Sequence, residues 1–373
     1  MRSTPHRGRI AAAPLPAVYQ ATLRPAPVAA SNLAPAPEVV LLAAALLAAF
    51  GLAACWAPAP RGGPAAPENA AAPAAGTWIE ARDGVSLRVH AWEPAGPIRG
   101  LVLMVPGVTG LDTRMEAPVT EPLTAAGFAV FALAPRGTGE SGGPRGYAGS
   151  ASLILDDLAR FAAWGRDRAG APVGTAAASA AAGHSGTAAG LPVFLFGHSM
   201  GGTFALAVAA DMERSPAGLI LINPAYKYLP LRGATPGFGD YLRFAAYWIF
   251  APRKPVVDMG GDPSLLEDPD DREEALERIA SPEVQGLQSM ASMTAARKIM
   301  SAAPRNAARL SVPGLILEGT RDLLIDPAGT DEIASAWGGS GAERVRVDGA
   351  HGLSSTLSGM EAIIEWLAEK ARR

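Results

Sequence analysis

The five residues Gly197-His198-Ser199-Met200-Gly201 constrain this chain more than any other stretch, because of what stands on either side of them. The apolar run Val193 to Phe196 predicts a short, fully buried strand, and Thr203 to Ala210 is built of helix formers. Strand, G-x-S-x-G and helix in that order make a nucleophile elbow. So sharp a turn crowds its neighbours, so Gly197 and Gly201 must lack a Cβ while Ser199 projects its hydroxyl. The turn also puts the Met200 N–H in the first turn of a helix, where unpaired donors and the dipole favour a developing oxyanion.

An elbow of this kind carries its triad in the chain order Ser, then Asp or Glu, then His. Of the five histidines only His351 follows Ser199, so only it can be the base in that order. It sits in Val345-Arg-Val-Asp-Gly-Ala-His-Gly-Leu353, a predicted strand running into a Gly-flanked loop. The acid is expected on the loop after the preceding strand, Val312 to Glu318. Asp322 is preferred because it follows the strand end closely, on a turn opened by Gly319. Asp326, with Pro327 behind it, has the pattern of a cap for a helix from Ala328 to Trp337. Glu318, still within the strand, is the weaker rival. The role expected of Asp322 is to orient His351 and support its charge rather than to take its proton.

From residue 77 to the C-terminus the chain resembles the α/β-hydrolases of the serine-aminopeptidase-like group, which includes monoacylglycerol lipases and lysophospholipases. Three further segments carry the likeness. Leu101-Val-Leu-Met-Val-Pro-Gly-Val-Thr-Gly110 resembles the family's strand and His-Gly-x oxyanion loop, which implies that the Val108 N–H is the second oxyanion donor beside Met200. Ala134-Pro-Arg-Gly-Thr-Gly-Glu-Ser141 resembles its Asp-x-x-Gly-x-Gly-x-Ser turn, and Asp83-Gly84 its opening hairpin. Pro106 stands where the family has His, and Ala134 where it has Asp; neither is a reacting group. The resemblance implies an α/β-hydrolase fold: a mostly parallel, doubly covered sheet with a helical cap inserted after the strand near Ile222.

Strand signals near Ser86 to Ala91, Leu101 to Val105, Phe128 to Leu133, Leu219 to Ile222, Leu315 to Glu318 and Arg344 to Val347 fit that sheet. Helices are expected at Ala151 to Trp164 and Gly359 to Lys370. The alternation stops between Asn223 and Val312, and the cap is placed at about 226–303. Tyr226, Tyr228, Phe238, Tyr241, Phe244, Tyr247, Trp248 and Phe250 crowd there, followed by Met290, Met293 and Met300. Such a group over a serine suits an apolar acyl chain. The low-complexity stretch 169–190 reads as a surface loop. Its Gly183-His184-Ser185-Gly186 echoes the elbow, but no strand precedes it and the final glycine is missing.

Residues 1–54 read differently: an Ala/Pro-rich n-region, then an apolar run from Val39 to Ala54. That run is shorter than the ~20 residues of a membrane span and suits a signal-peptide core. It ends at Leu52-Ala-Ala-Cys55, which resembles a bacterial lipobox, and Cys55 is the only cysteine, so no intramolecular disulfide is available. Residues 55–76 are a Pro/Ala-rich tether. These features predict lipid attachment at Cys55 and a place in the bacterial cell envelope at a membrane surface. A cytoplasmic protein and a single-span anchor are the alternatives. A long n-region and Glu38 beside the apolar run count against export. A chain of 373 residues, 49% hydrophobic and 18% charged, can bury a large core, and its net charge of −3 with no basic stripe excludes nucleic acid as an expected partner.

The expected chemistry is acyl transfer to water by Ser199, Asp322 and His351, with a small-molecule or lipid ester as substrate and no metal or cofactor. A serine rather than a carboxylate nucleophile argues against dehalogenase or epoxide hydrolase chemistry. An aminopeptidase or amidase is the alternative enzyme; it would need cap acids for a substrate ammonium. Asp268, Asp270, Asp271, Glu273 and Glu274 are present, but as a run at a helix start they read as a solvated face. A catalytically silent binding lipoprotein is the alternative outside the enzymes.

Overall fold

The computed structural model describes residues 77–170, 190–229, 238–259 and 263–372. The apolar segment, Cys55, the tether and the Ser185 motif lie outside the described residues. Eight strands form one sheet: β1 (Thr77–Glu80), β2 (Ser86–Trp92), β3 (Gly100–Val105), β4 (Phe128–Leu133), β5 (Val193–His198), β6 (Gly218–Ile222), β9 (Gly314–Gly319) and β10 (Ala342–Val347). Their order is β1-β2-β4-β3-β5-β6-β9-β10; β2 is antiparallel to both neighbours, and β4 through β10 run parallel.

The helices are α1 (Ala117–Ala125), α2 (Ala151–Gly170), α3 (Met200–Asp211), α4 (Phe238–Phe250), α5 (Pro269–Ala280), α6 (Met290–Met300), α7 (Ala303–Ala307), α8 (Pro327–Ala336), α9 (Leu353–Ser358) and α10 (Met360–Lys370). The continuous apolar runs of the central strands have a simple cause: alternate side chains enter two separate cores. Leu101, Leu103, Val105, Phe131 and Leu195 pack with Phe161 of α2, Phe204 of α3 and Ile333 of α8. Val102, Met104, Val130, Phe194 and Phe196 pack on the other side with Leu123 of α1 and Ile363 and Trp366 of α10.

Two elements run differently from their sequence signals. The helix opened at Ala151 continues past Trp164 to Gly170, because Phe161, Ala162, Gly165 and Ala169 keep one face buried. Gly165 allows that close approach: a Cβ there would lie 2.6 Å from the Leu103 side chain. Residues 169 and 170 of the expected loop therefore belong to the helix. The cap region also contains a two-stranded ribbon, β7 (Pro255–Asp258) with β8 (Leu287–Ser289), which no alternation in so short a segment could signal. Nor do its aromatic residues all turn inward: Trp248 is 56% and Phe250 74% exposed, whereas Met300 is buried.

The turn after β4 is tied down by charge. Arg136, 5% exposed, donates from Nε and Nη2 to Asp157 of α2 at 2.6 and 2.8 Å, and from Nη1 to Asp83 of the opening hairpin at 2.8 Å. Ser141 closes the same turn, its hydroxyl donating to the Ala134 carbonyl at 2.6 Å and accepting from the Arg88 N–H at 2.8 Å. Arg136 and Asp157 line a small cavity with Pro106, Gly107 and Val108, so the ion pair stands behind the loop that follows β3. Arg136→Ala should cost about 3–5 kcal/mol in chemical denaturation, because it strands the buried Asp157 carboxylate without a partner.

Candidate active site

Ser199 joins β5 to α3 with φ 52° and ψ −120°, a left-handed strain that a non-glycine residue tolerates only when its surroundings enforce it. They do so through the main chain. The Ser199 N–H donates to the Ile222 carbonyl at 2.9 Å, and its carbonyl accepts from Gly202 at 3.1 Å and Ala225 at 3.0 Å. The two elbow glycines answer to close approach: a Cβ at Gly197 would lie 2.4 Å from the Gly201 oxygen, and one at Gly201 2.0 Å from the Val105 oxygen. The loop after β3 packs on the elbow, since a Cβ at Gly107 would lie 3.2 Å from the Met200 side chain; Val108 is buried beside it.

His351 reaches this serine from the loop after β10. Its Nε2 lies 3.0 Å from Ser199 Oγ, and its Nδ1 lies 2.9 Å from Asp322 Oδ2. Asp322 is fixed in turn, its Oδ1 accepting from the Leu324 and Ile325 N–H groups at 2.8 and 2.9 Å. Its rivals are engaged elsewhere. Asp326 caps α8, accepting from the Ala328 N–H at 2.9 Å, and Glu318 pairs with Arg344 at 2.5 Å.

Burial works against charge on His351, but the hydrogen bond and charge of Asp322, with the charges of Asp271 and Glu274, outweigh it and raise the imidazole above the ordinary histidine value. For Asp322 burial pushes upward, and the His351 contact and the backbone N–H groups overcome it to hold the carboxyl below its usual range. His198 goes the other way: burial and the neighbouring His351 lower it to about 4, so it stays neutral.

Neutral His198 holds the His351 loop, its Nε2–H donating to the His351 carbonyl at 2.6 Å. Asn223 holds it too, and neither residue stood out in the sequence as part of a site. Asn223 is 3% exposed, with φ 43°. Its Nδ2 donates to the carbonyls of His351 and Ala350 at 3.0 and 3.2 Å, and its Oδ1 accepts from the Gly319 N–H at 2.8 Å. One amide thus joins the end of β9 to the His351 loop. An Asn before Pro, directly after a buried strand, is the only signal the sequence offered, since Asn tolerates the left-handed region.

The acidic run of α5 is a solvated face only in part: Asp270 and Glu273 are exposed, but the other acids are engaged. Asp268 and Asp271 are each 8% exposed. Asp268 caps the helix through the Asp270 N–H and pairs with Arg321, and Asp270 pairs with Arg321 at 2.7 Å. Asp271 accepts from the His351 and Gly352 N–H groups at 3.2 and 2.9 Å, and Glu274 from the Leu353 N–H. The run reads as polar because these donors come from loops about 50 to 80 residues downstream.

The sheet order, the strained serine between a parallel strand and a buried helix, and the histidine and aspartate on loops after β10 and β9 define an α/β-hydrolase. Residues 96–353 match the family described as serine aminopeptidase, S33. The chain belongs to that family, and it is a serine hydrolase. It is 30% identical over 259 residues to a monoacylglycerol lipase of Mycolicibacterium smegmatis, covering 68% of this chain and 82% of that one. It is 27% identical over 255 residues to the human monoglyceride lipase, covering 66% and 73%. A soluble variant of the Saccharomyces cerevisiae monoglyceride lipase, solved with a substrate analogue, shares the fold at a TM-score of 0.61 and 19% identity, over 79% of this chain and 94% of that one.

Asn223→Ala removes a donor and an acceptor at once and should let both loops shift. A displacement of about 1 Å costs about a hundredfold in rate, so steady-state kinetics should show that fall in kcat with little change in KM.

Proposed function

We propose that the protein hydrolyses carboxylic esters of apolar acyl chains, of monoacylglycerol or lysophospholipid type, through an acyl-enzyme on Ser199. The observation that carries this reading is the unbroken hydrogen-bond chain from Ser199 Oγ through His351 to Asp322. The family membership and the two monoacylglycerol lipase relatives support the ester class.

Ser199 Oγ attacks the ester carbonyl carbon while His351 Nε2 takes its proton. The carbonyl oxygen becomes an oxyanion, for which the N–H groups of Met200 and Val108 are the donors. His351 then gives the proton to the alkoxy oxygen, the C–O bond breaks and the alcohol leaves. Water repeats the sequence on the acyl carbon, its proton passing through His351 back to Ser199 as the acid departs. Asp322 keeps Nδ1 protonated and stabilises the imidazolium formed at each attack.

The aminopeptidase reading is less favoured, because Asp268, Asp270, Asp271 and Glu274 already accept from groups of the protein itself. Lipid attachment at Cys55 belongs to the same proposal: it would keep the enzyme within a tether's length of a bilayer where such substrates partition. Among the described residues no helix is long and apolar enough to cross a membrane. Cys55→Ala should therefore move the protein from the membrane fraction to the soluble one; wild-type protein found soluble with residues 1–54 attached would end that part.

Ser199→Ala should lower kcat on p-nitrophenyl esters by at least about a thousandfold, and an aminoacyl-anilide should be the poorer substrate. Near-normal esterase activity in that variant would overturn the assignment. The base must be unprotonated to act, so kcat/KM should fall with acid at a midpoint above that of an ordinary histidine. Asp322→Asn should move that midpoint down and lower kcat by about four decades, whereas Asp326→Ala, which removes the helix cap, should cost about 1 kcal/mol of stability with kcat largely kept.

A further inference from the structure

The base is held at its ring by Asp322 and at its backbone by a different element. Three successive N–H groups, those of His351, Gly352 and Leu353, open α9, and all three find carboxylates on α5 of the cap region. Asp271 Oδ2 and Oδ1 accept from the first two at 3.2 and 2.9 Å, and Glu274 accepts from the third. The i, i+3 spacing puts both carboxylates on one face of the helix. Gly352 makes the approach possible, since a Cβ there would lie 1.8 Å from a Glu274 oxygen. The helix is anchored on the acid's side as well: Arg321, next to Asp322, pairs with Asp268, Asp270 and Asp348.

We propose that Asp271 and Glu274 are positioning residues for the reaction, fixing the backbone of His351 from the cap and stabilising the imidazolium that forms there. The proposal rests on the reading of His351 as the base. It differs from the role of Asp322, which touches the ring. Two carboxylates some 80 residues before the histidine fasten the loop by main-chain donors that exist only once it is folded. Around His351 the charged and titratable groups are Asp322, Asp271, Glu274 and His198, with Arg278 next to Glu274 at 3.5 Å. Acidic groups therefore dominate the field at the ring, and all three of these carboxylates favour its charged form. α5 is thereby not free to lift from the site without loosening the base.

The test compares Asp271→Asn with Asp270→Asn. The first keeps shape and an acceptor but removes the charge at the base; the second removes only an outer partner of Arg321. For Asp271→Asn the acid limb of kcat/KM should move to lower pH, with kcat down about tenfold and KM within about twofold. Asp270→Asn should lower the melting temperature and leave the pH midpoint in place. If Asp271→Asn is not recovered folded, Glu274→Gln carries the measurement, with the same direction expected. A pH midpoint equal to wild type in the variants recovered would overturn the proposal, whatever their loss of stability. Failure of the base reading would look different: full esterase activity in His351→Ala.

Discussion

The backbone at Ser199 is the constraint on which the site depends. A left-handed serine is unfavourable in isolation, and it persists because its N–H and carbonyl are bonded to Ile222, Gly202 and Ala225. Those partners lie at the end of β6, in the segment just after it and at the start of α3, so the strain is supported by the sheet and helix together. Glycine at 197 and 201 removes the clashes that would otherwise forbid the turn, and the loop bearing Gly107 then fits against Met200. The placement of the Met200 N–H, the Ser199 hydroxyl and its 3.0 Å approach to His351 all follow from that one turn.

Around it, electrostatics separates two histidines that lie 5.1 Å apart. His351 has carboxylates at its ring and near its backbone and is held toward the charged form. His198 has burial and a neighbouring imidazole and is held neutral, as a donor to the main chain. The same residue type thus takes a proton-transfer environment in one place and a structural one in the other, because the groups facing each ring differ.

The cap region contributes differently from what its composition implies. Aromatic density after β6 suggests a lining for an acyl chain, yet Leu242, Trp248, Ile249 and Phe250 of α4 are exposed. Four of the five acids in that segment, bland as sequence, bind the loops that carry Asp322 and His351. Composition reports which residues a segment has; only the contacts decide which way they face.

How much could be read from the chain follows from range. The elbow was legible because strand, glycines, serine and helix are contiguous, and their steric requirements are local. The central strands were legible because burial on both faces leaves an unbroken apolar run. Asp322 could be preferred over Asp326 because a following proline marks a helix start. Asn223, His198, Asp271 and Arg136 were not legible as structural clamps, since each acts on a partner brought near by the fold: Gly319 and Ala350 for Asn223, the His351 loop for His198 and Asp271, and Asp83 and Asp157 for Arg136. Their residue types fit a surface turn or a solvated helix equally well. The sequence by itself determined the doubly covered parallel sheet and the local geometry at Ser199, because both rest on short-range sterics and periodic burial. Tertiary structure alone decided which polar groups hold the His351 loop, because a hydrogen bond across 80 residues leaves no local mark on the chain.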